Sequence, residues 1–140
     1  MILHKDSNIF KQLVNITSEY YKISPAIIEK DYYVTLFLFE LKKKVPGLIF
    51  KGGTSLSKCY KLIDRFSEDI DITVKEEYFT QGNRKKLKYI IKEITDYLGL
   101  SIINFEKTRS RRDYNCYIVD YQSQYTTAGI SPQLLIETVY

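Results

Sequence analysis

The sequence predicts an α/β fold: a small, mixed and strongly twisted sheet with helices packed against it. Three observations carry this. Apolar residues recur at helical spacing around positions 7–21, 24–44 and 83–98. Short runs at 48–50, 69–74, 101–105, 114–121 and 134–139 have the length and alternation of strands. A double glycine, Gly52-Gly53, separates the first strand run from a further helical run at 54–63.

The first helix is expected to be capped by Ser7, with Phe10, Leu13, Val14 and Tyr21 on one side. Ser24-Pro25 opens the second, because serine caps well and proline suits the first helical turn. That helix runs through Ile27, Ile28, Val34, Phe37, Leu38 and Leu41 and is apolar on most faces, so burial is expected. Its last turn, Lys42-Lys43-Lys44, suits the helix dipole, and Pro46-Gly47 ends it. Leu48-Ile49-Phe50 reads as a short buried strand. The helical run from Thr54 to Ile63 places Leu56, Cys59, Tyr60 and Ile63 on one face. Asn83 is expected to cap the next helix, which Gly99 ends. Strands follow at Ser101 to Phe105, Tyr114 to Tyr121 and Leu134 to Val139. The chain stops at Tyr140 inside a strand-like run, so residues 1–140 are read as one domain and as the N-terminal fragment of a longer protein.

Composition excludes several classes. With 140 residues, 44% hydrophobic and 27% charged, the chain suits a folded domain rather than a disordered one. No apolar run approaches the roughly 18 residues of a membrane span, and Met1 to Phe10 lacks a signal-peptide core. A cytoplasmic protein is expected. Two distant cysteines, Cys59 and Cys116, and one histidine, His4, leave no zinc spacing; both cysteines read as small buried hydrophobes. The net charge of +4 points only weakly to an anionic partner. The cations gather at Lys42-Lys43-Lys44, at Arg84-Lys85-Lys86 with Lys88, and at Arg109 with Arg111-Arg112. With 13 tyrosines they leave room for contacts to phosphates and bases.

Two motifs carry candidate chemistry. Lys51-Gly52-Gly53-Thr54-Ser55-Leu56-Ser57-Lys58 lies at a strand-to-helix junction. Glycines allow close backbone approach to a phosphate, and the helix start offers unpaired N–H groups. Thr54, Ser55 and Lys58 add donors, although the spacing is not that of a Walker A loop. The alternative is a tight turn with Thr54 or Ser55 as a simple cap. The second motif is Ser67-Glu68-Asp69-Ile70-Asp71-Ile72. In a strand, Asp69 and Asp71 share one face while Ile70 and Ile72 face the core. Paired carboxylates repel unless a cation compensates, and hard oxygen ligands suit Mg²⁺ or Mn²⁺. The alternative is the solvent face of an edge strand. Together, a phosphate cradle beside two carboxylates is the arrangement that nucleotidyl transfer requires.

The stretches from Ile28 to Val34, Phe50 to Lys58 and Arg65 to Ile72 resemble the AbiEii/AbiGii toxin family, nucleotidyltransferase-like toxins of the DNA polymerase β superfamily. The resemblance implies a polymerase β-type palm. It implies that the Gly52-Gly53-Thr54-Ser55 loop holds nucleotide phosphates, with Lys58 contacting phosphate or packing on the sheet. It implies Asp69 and Asp71 as metal-binding and catalytic carboxylates, and a third acid on a later strand, for which Glu137 is the candidate; a surface glutamate is the alternative. Arg65 fits the motif turn, and Lys30 and Asp31 match as a structural ion pair. The implied activity is Mg²⁺- or Mn²⁺-dependent transfer of a nucleoside monophosphate from an NTP to RNA, such as a tRNA end, or to a protein side chain. Growth arrest would follow, restrained by an antitoxin protein. A further lysine motif and a C-terminal helical portion of the family lie beyond Tyr140. The other readings are an inactive nucleotide- or RNA-binding module of the same fold, and a small-molecule nucleotidyltransferase.

Overall fold

The computed structural model describes residues 2–51, 69–125 and 131–140. Helices α1 (Ser7–Tyr21) and α2 (Pro25–Lys44) come first, then strands β1 (Leu48–Lys51) and β2 (Asp69–Val74). Helix α3 (Gln81–Tyr97), β3 (Ser101–Ile102), β4 (Tyr114–Asp120) and β5 (Gln133–Val139) follow. The strands form one mixed sheet in the order β1-β2-β5-β4-β3. Among the described residues only β2 and β5 pair in parallel. The fold is thus a mixed α/β arrangement in which helices flank a five-stranded sheet.

Of the three helix caps expected among the described residues, Ser24 stands at the N-cap of α2 without a side-chain capping bond, and the other two shift. Asp6, not Ser7, caps α1, its extended backbone letting the carboxylate accept from the Ile9 N–H. Thr80, not Asn83, caps α3, and its hydroxyl accepts from the Asn83 N–H. In each case an equally suitable residue stands slightly earlier in the chain. The burial of α1 is also narrower than expected: Phe10 and Val14 are buried, whereas Leu13 and Tyr21 are exposed. Helix α2 begins at Pro25 as anticipated and buries Val34, Phe37, Leu38 and Leu41. The chain then turns at Gly47, whose φ of +71° suits glycine. A Cβ there would stand 2.5 Å from the Tyr78 ring, so a side chain at this position is disfavoured both by the backbone and by the contact.

The expected strand from Ser101 to Phe105 is cut short at Ile102. Beyond it, Asn104 substitutes its side chain for a strand backbone. Its Oδ1 accepts from the Ile118 N–H and its Nδ2 donates to the Cys116 carbonyl. The chain is then free to turn into a short 3₁₀ segment at Phe105–Lys107.

Alternation divides the strands. Ile70, Ile72, Leu134, Ile136, Tyr117 and Val119 are buried and join residues of α1, α2 and α3 in one apolar core. Their neighbours in sequence, Asp69, Asp71, Leu135, Glu137, Cys116 and Ile118, are only partly buried and point to the other face. Among the described residues no helix is long and apolar enough to cross a membrane.

Candidate functional site

Register assembles a row on that second face. Lys51 pairs with Asp71 across β1 and β2, Asp71 with Glu137 across β2 and β5, and Glu137 with Cys116 across β5 and β4. Directly paired residues point to the same side of a sheet, so a cation, two carboxylates and a thiol stand abreast. Asp69 lies two residues before Asp71 on the same side, beside Leu135. Tyr114, two residues before Cys116, completes the face and is 52% exposed. It is within reach of a molecule lying on the sheet.

The electrostatics follow from this crowding. The Glu137 carboxyl is pushed above its ordinary value of 4.5, first by burial and then by the Asp71 charge. A hydrogen bond shared with the Asp71 side chain and the Asp69 charge push it the same way. Burial raises the Cys116 thiol, and the Glu137 charge adds to it. Burial likewise raises the Tyr114 hydroxyl, and the neighbouring Cys116 and Glu137 charges add to it. The crowding of the acids is a repulsion that a cation would relieve. In donor type, three carboxylates are the hard oxygen set that suits Mg²⁺ or Mn²⁺. In placement, no group of three or more His, Cys, Asp or Glu among the described residues is gathered closely enough to hold a metal ion.

Of the residues singled out in the sequence, Asp69, Asp71 and Glu137 thus lie on one face, with Asp71 and Glu137 in direct register. Gly52, Gly53, Thr54, Ser55, Lys58 and Arg65 lie outside the described residues, as do Cys59 and the helical run expected at 54–63. The chain enters that stretch from Lys51, at one end of the row, and leaves it at Asp69, two residues before Asp71. Lys30 is buried on α2 and its Nζ donates to the Ser131 carbonyl at 3.3 Å. It therefore braces the chain just ahead of β5.

Two members of the face were missed. Cys116, expected to be a small buried hydrophobe, is half-buried and paired with Glu137 instead. Tyr114 drew no notice. Both share a parity in β4 with Ile118, so the face was written in the alternation, but nothing in the sequence said that β4 would lie beside β5.

A family model described as "Nucleotidyl transferase AbiEii toxin, Type IV TA system" matches residues 36–140. That span covers α2 from its middle onward and every strand of the sheet. No curated protein and no solved structure matches the chain.

Proposed function

The chain belongs to the AbiEii nucleotidyltransferase toxin family, and from that premise we propose that it transfers a nucleoside monophosphate from an NTP to an acceptor hydroxyl. The observation that carries the reading is the carboxylate row, Asp71 against Glu137 with Asp69 beside them. The fold in this reading is the polymerase β-type palm, whose open sheet face carries the acids. Asp69 and Asp71 would hold Mg²⁺ or Mn²⁺, with Glu137 as third acid. When bound, the ion supplies charge neutralisation for the triphosphate and activation of the attacking hydroxyl. Glu137, in register with Asp71, would be the residue to accept the proton of that hydroxyl. Lys51, in register with Asp71, would in this reading meet the phosphates together with the Gly52–Lys58 motif. RNA, a tRNA end among them, is the acceptor class we favour, and an antitoxin protein and a cytoplasmic setting belong to the same reading.

Thermal unfolding with each NTP, with and without Mg²⁺, tests the site. A ligand at about 100 times its dissociation constant stabilises by roughly 2.7 kcal/mol, a shift of several degrees in a domain of this size. Asp71→Asn is expected to abolish the Mg²⁺-dependent part of that shift. It should also lower transfer by at least about a hundredfold, since metal-borne charge stabilisation amounts to several kcal/mol. The substitution should leave the unliganded protein as stable or slightly more so, because it removes one charge from a repelling pair. Full transfer activity in both Asp69→Asn and Asp71→Asn would overturn the assignment. Mg²⁺-dependent NTP affinity without turnover would identify a binding module instead.

A further inference from the structure

Helix α1 carries two apolar sides, and the fold uses one of them. Phe10 and Val14 are buried in the core, with Phe10 against Tyr32 and Tyr33 of α2. Ile9, Leu13, Ile16 and Tyr20 recur at spacings of four, three and four. At about 100° per residue they fall within about 60° of the helix circumference, roughly a third of a turn round from Phe10 and Val14. They are 39%, 41%, 62% and 78% exposed, so the described residues leave this seam open. Single exposed apolar side chains are ordinary, but four in line on one helix mark a surface made to be covered. The spacing is that of a coiled-coil seam, whose residues fit between those of a facing helix. The family match begins at residue 36, so α1 and its seam lie outside it.

The charges point to what covers it. Within Ser7–Tyr21 the charged side chains are Lys11 and Glu19, which cancel. A helix that lies on a membrane surface carries an excess of cations on its polar side, and a partner steered by charge needs an excess of one sign. Helix α1 has neither. Its ends differ instead. Asp6 caps the N-terminal end, and Lys22, left-handed with φ of +56°, ends the helix. Both are exposed, and neither forms an ion pair among the described residues.

A neutral helix with an acid at one end and a base at the other is complementary to itself turned end for end. Two copies set antiparallel about a point between Val14 and Asn15 bring Ile9 of one level with Tyr20 of the other, and Leu13 level with Ile16. The least exposed member of the seam thus meets the most exposed, so that one recedes where the other projects. Asp6 comes level with Lys22 at both ends. Parallel pairing would bring Asp6 level with Asp6 and Lys22 with Lys22, and would align the two helix dipoles.

We infer that α1 is a self-association surface, joining two copies of this chain in a symmetric, antiparallel contact along Ile9, Leu13, Ile16 and Tyr20. A two-fold contact of this kind uses one patch twice and is the commonest form of assembly. One helix seam is smaller than the roughly 800 Å² per partner of a standard interface, so the dimer is a reversible one. The inference stands apart from the proposed transfer activity, since it uses no residue of the carboxylate face.

Sedimentation velocity of the whole chain, from low to several hundred micromolar, tests it. The mean mass is expected to rise from that of one chain towards that of two. Ile16→Lys places a charge beside the two-fold point from both copies and should weaken association at least about a hundredfold. Its thermal midpoint at low concentration should match the parent's, because Ile16 is largely exposed in the single chain. Tyr20→Ala should weaken association about tenfold. Ile103→Lys, at an equally exposed apolar residue between β3 and β4, should associate as the parent does. Orientation is read by cross-linking in a Cys59→Ser/Cys116→Ser background. Chains with Ile9→Cys and chains with Tyr20→Cys, mixed and oxidised, should join to each other. Joining of like to like in its place would overturn the antiparallel contact. A dimer that survives both Ile16→Lys and Tyr20→Ala would place the interface elsewhere and sink the inference. The mass of one chain at every concentration would sink it too, and would leave the seam to an unlike partner.

Discussion

The two faces of the sheet are made by alternate residues of the same strands, yet they obey different rules. On the helix-covered face Ile70, Ile72, Leu134 and Ile136 are wholly buried, and each contributes apolar area removed from water. On the other, Asp71 and Glu137 sit side by side at a cost in repulsion, and their neighbours are half-exposed. A residue that serves stability on one face would be wasted on the other, and a carboxylate moved one place along β2 would fall into the core. The covered face supplies the free energy that keeps a strained, like-charged row in place.

The largest effect expected from this division comes from truncating matched neighbours on β5. Ile136→Ala removes a fully buried side chain beneath α2 and should cost about 2–5 kcal/mol. Leu135→Ala, one residue away on the half-exposed face, should cost about 1 kcal/mol. Chemical denaturation of the pair measures both. Equal losses would mean that the second face is as closely packed as the first, and the open acid face would then be an incorrect description.

A smaller effect isolates the roof of the covered face. Thr80 caps α3, the helix that seals the core with Leu87, Ile91 and Ile94. Thr80→Ala leaves the Asn83 N–H without its acceptor and should cost about 1 kcal/mol. Affinity for NTP should stay as it was, because the change lies away from the carboxylates. If NTP affinity falls along with stability, then the two faces are not separable and α3 belongs to the site.

How far the sequence disclosed this arrangement depended on the range of the interaction. Asp69–Val74 was legible as a strand because its alternation is local, and with it the shared face of Asp69 and Asp71. Pro25 and Gly47 marked the ends of α2 because each constrains its own backbone. Caps were legible only to within a few residues, since Asp6 and Ser7, or Thr80 and Asn83, are equally competent and geometry decides between them. Glu137 could be named through a family resemblance, but its place against Asp71 depends on a parallel pairing between strands far apart in sequence. Cys116 and Tyr114 were hidden for the same reason. The shortening of β3 was illegible because it turns on the Asn104 side chain imitating a strand partner, which no periodicity records.

Glu29 sharpens the contrast as a carboxylate on the covered side, where Glu40 of the same helix is also buried. It is buried on α2, and it accepts from the Ser123 hydroxyl and from the Gln124 N–H at 2.9 Å. It thereby holds the chain that leaves β4, much as Lys30 holds Ser131 ahead of β5. Burial raises its pKa above the ordinary 4.5, and the two donors offset part of that rise. The folded state therefore keeps this proton to higher pH than the unfolded state does. Stability from this group is fully present below about pH 4.5 and declines as pH rises, until the raised folded value is passed. Glu29→Gln keeps an acceptor for one donor and carries no proton to lose. Denaturation midpoints followed upward from pH 4 should show the parent falling relative to the variant across that window, then running parallel to it. Parallel profiles throughout would mean that Ser123 and Gln124 compensate the burial in full. Glu29 would then be a carboxylate kept at ease by its donors, while Glu137, with another acid for its nearest partner, would be the one held under repulsion.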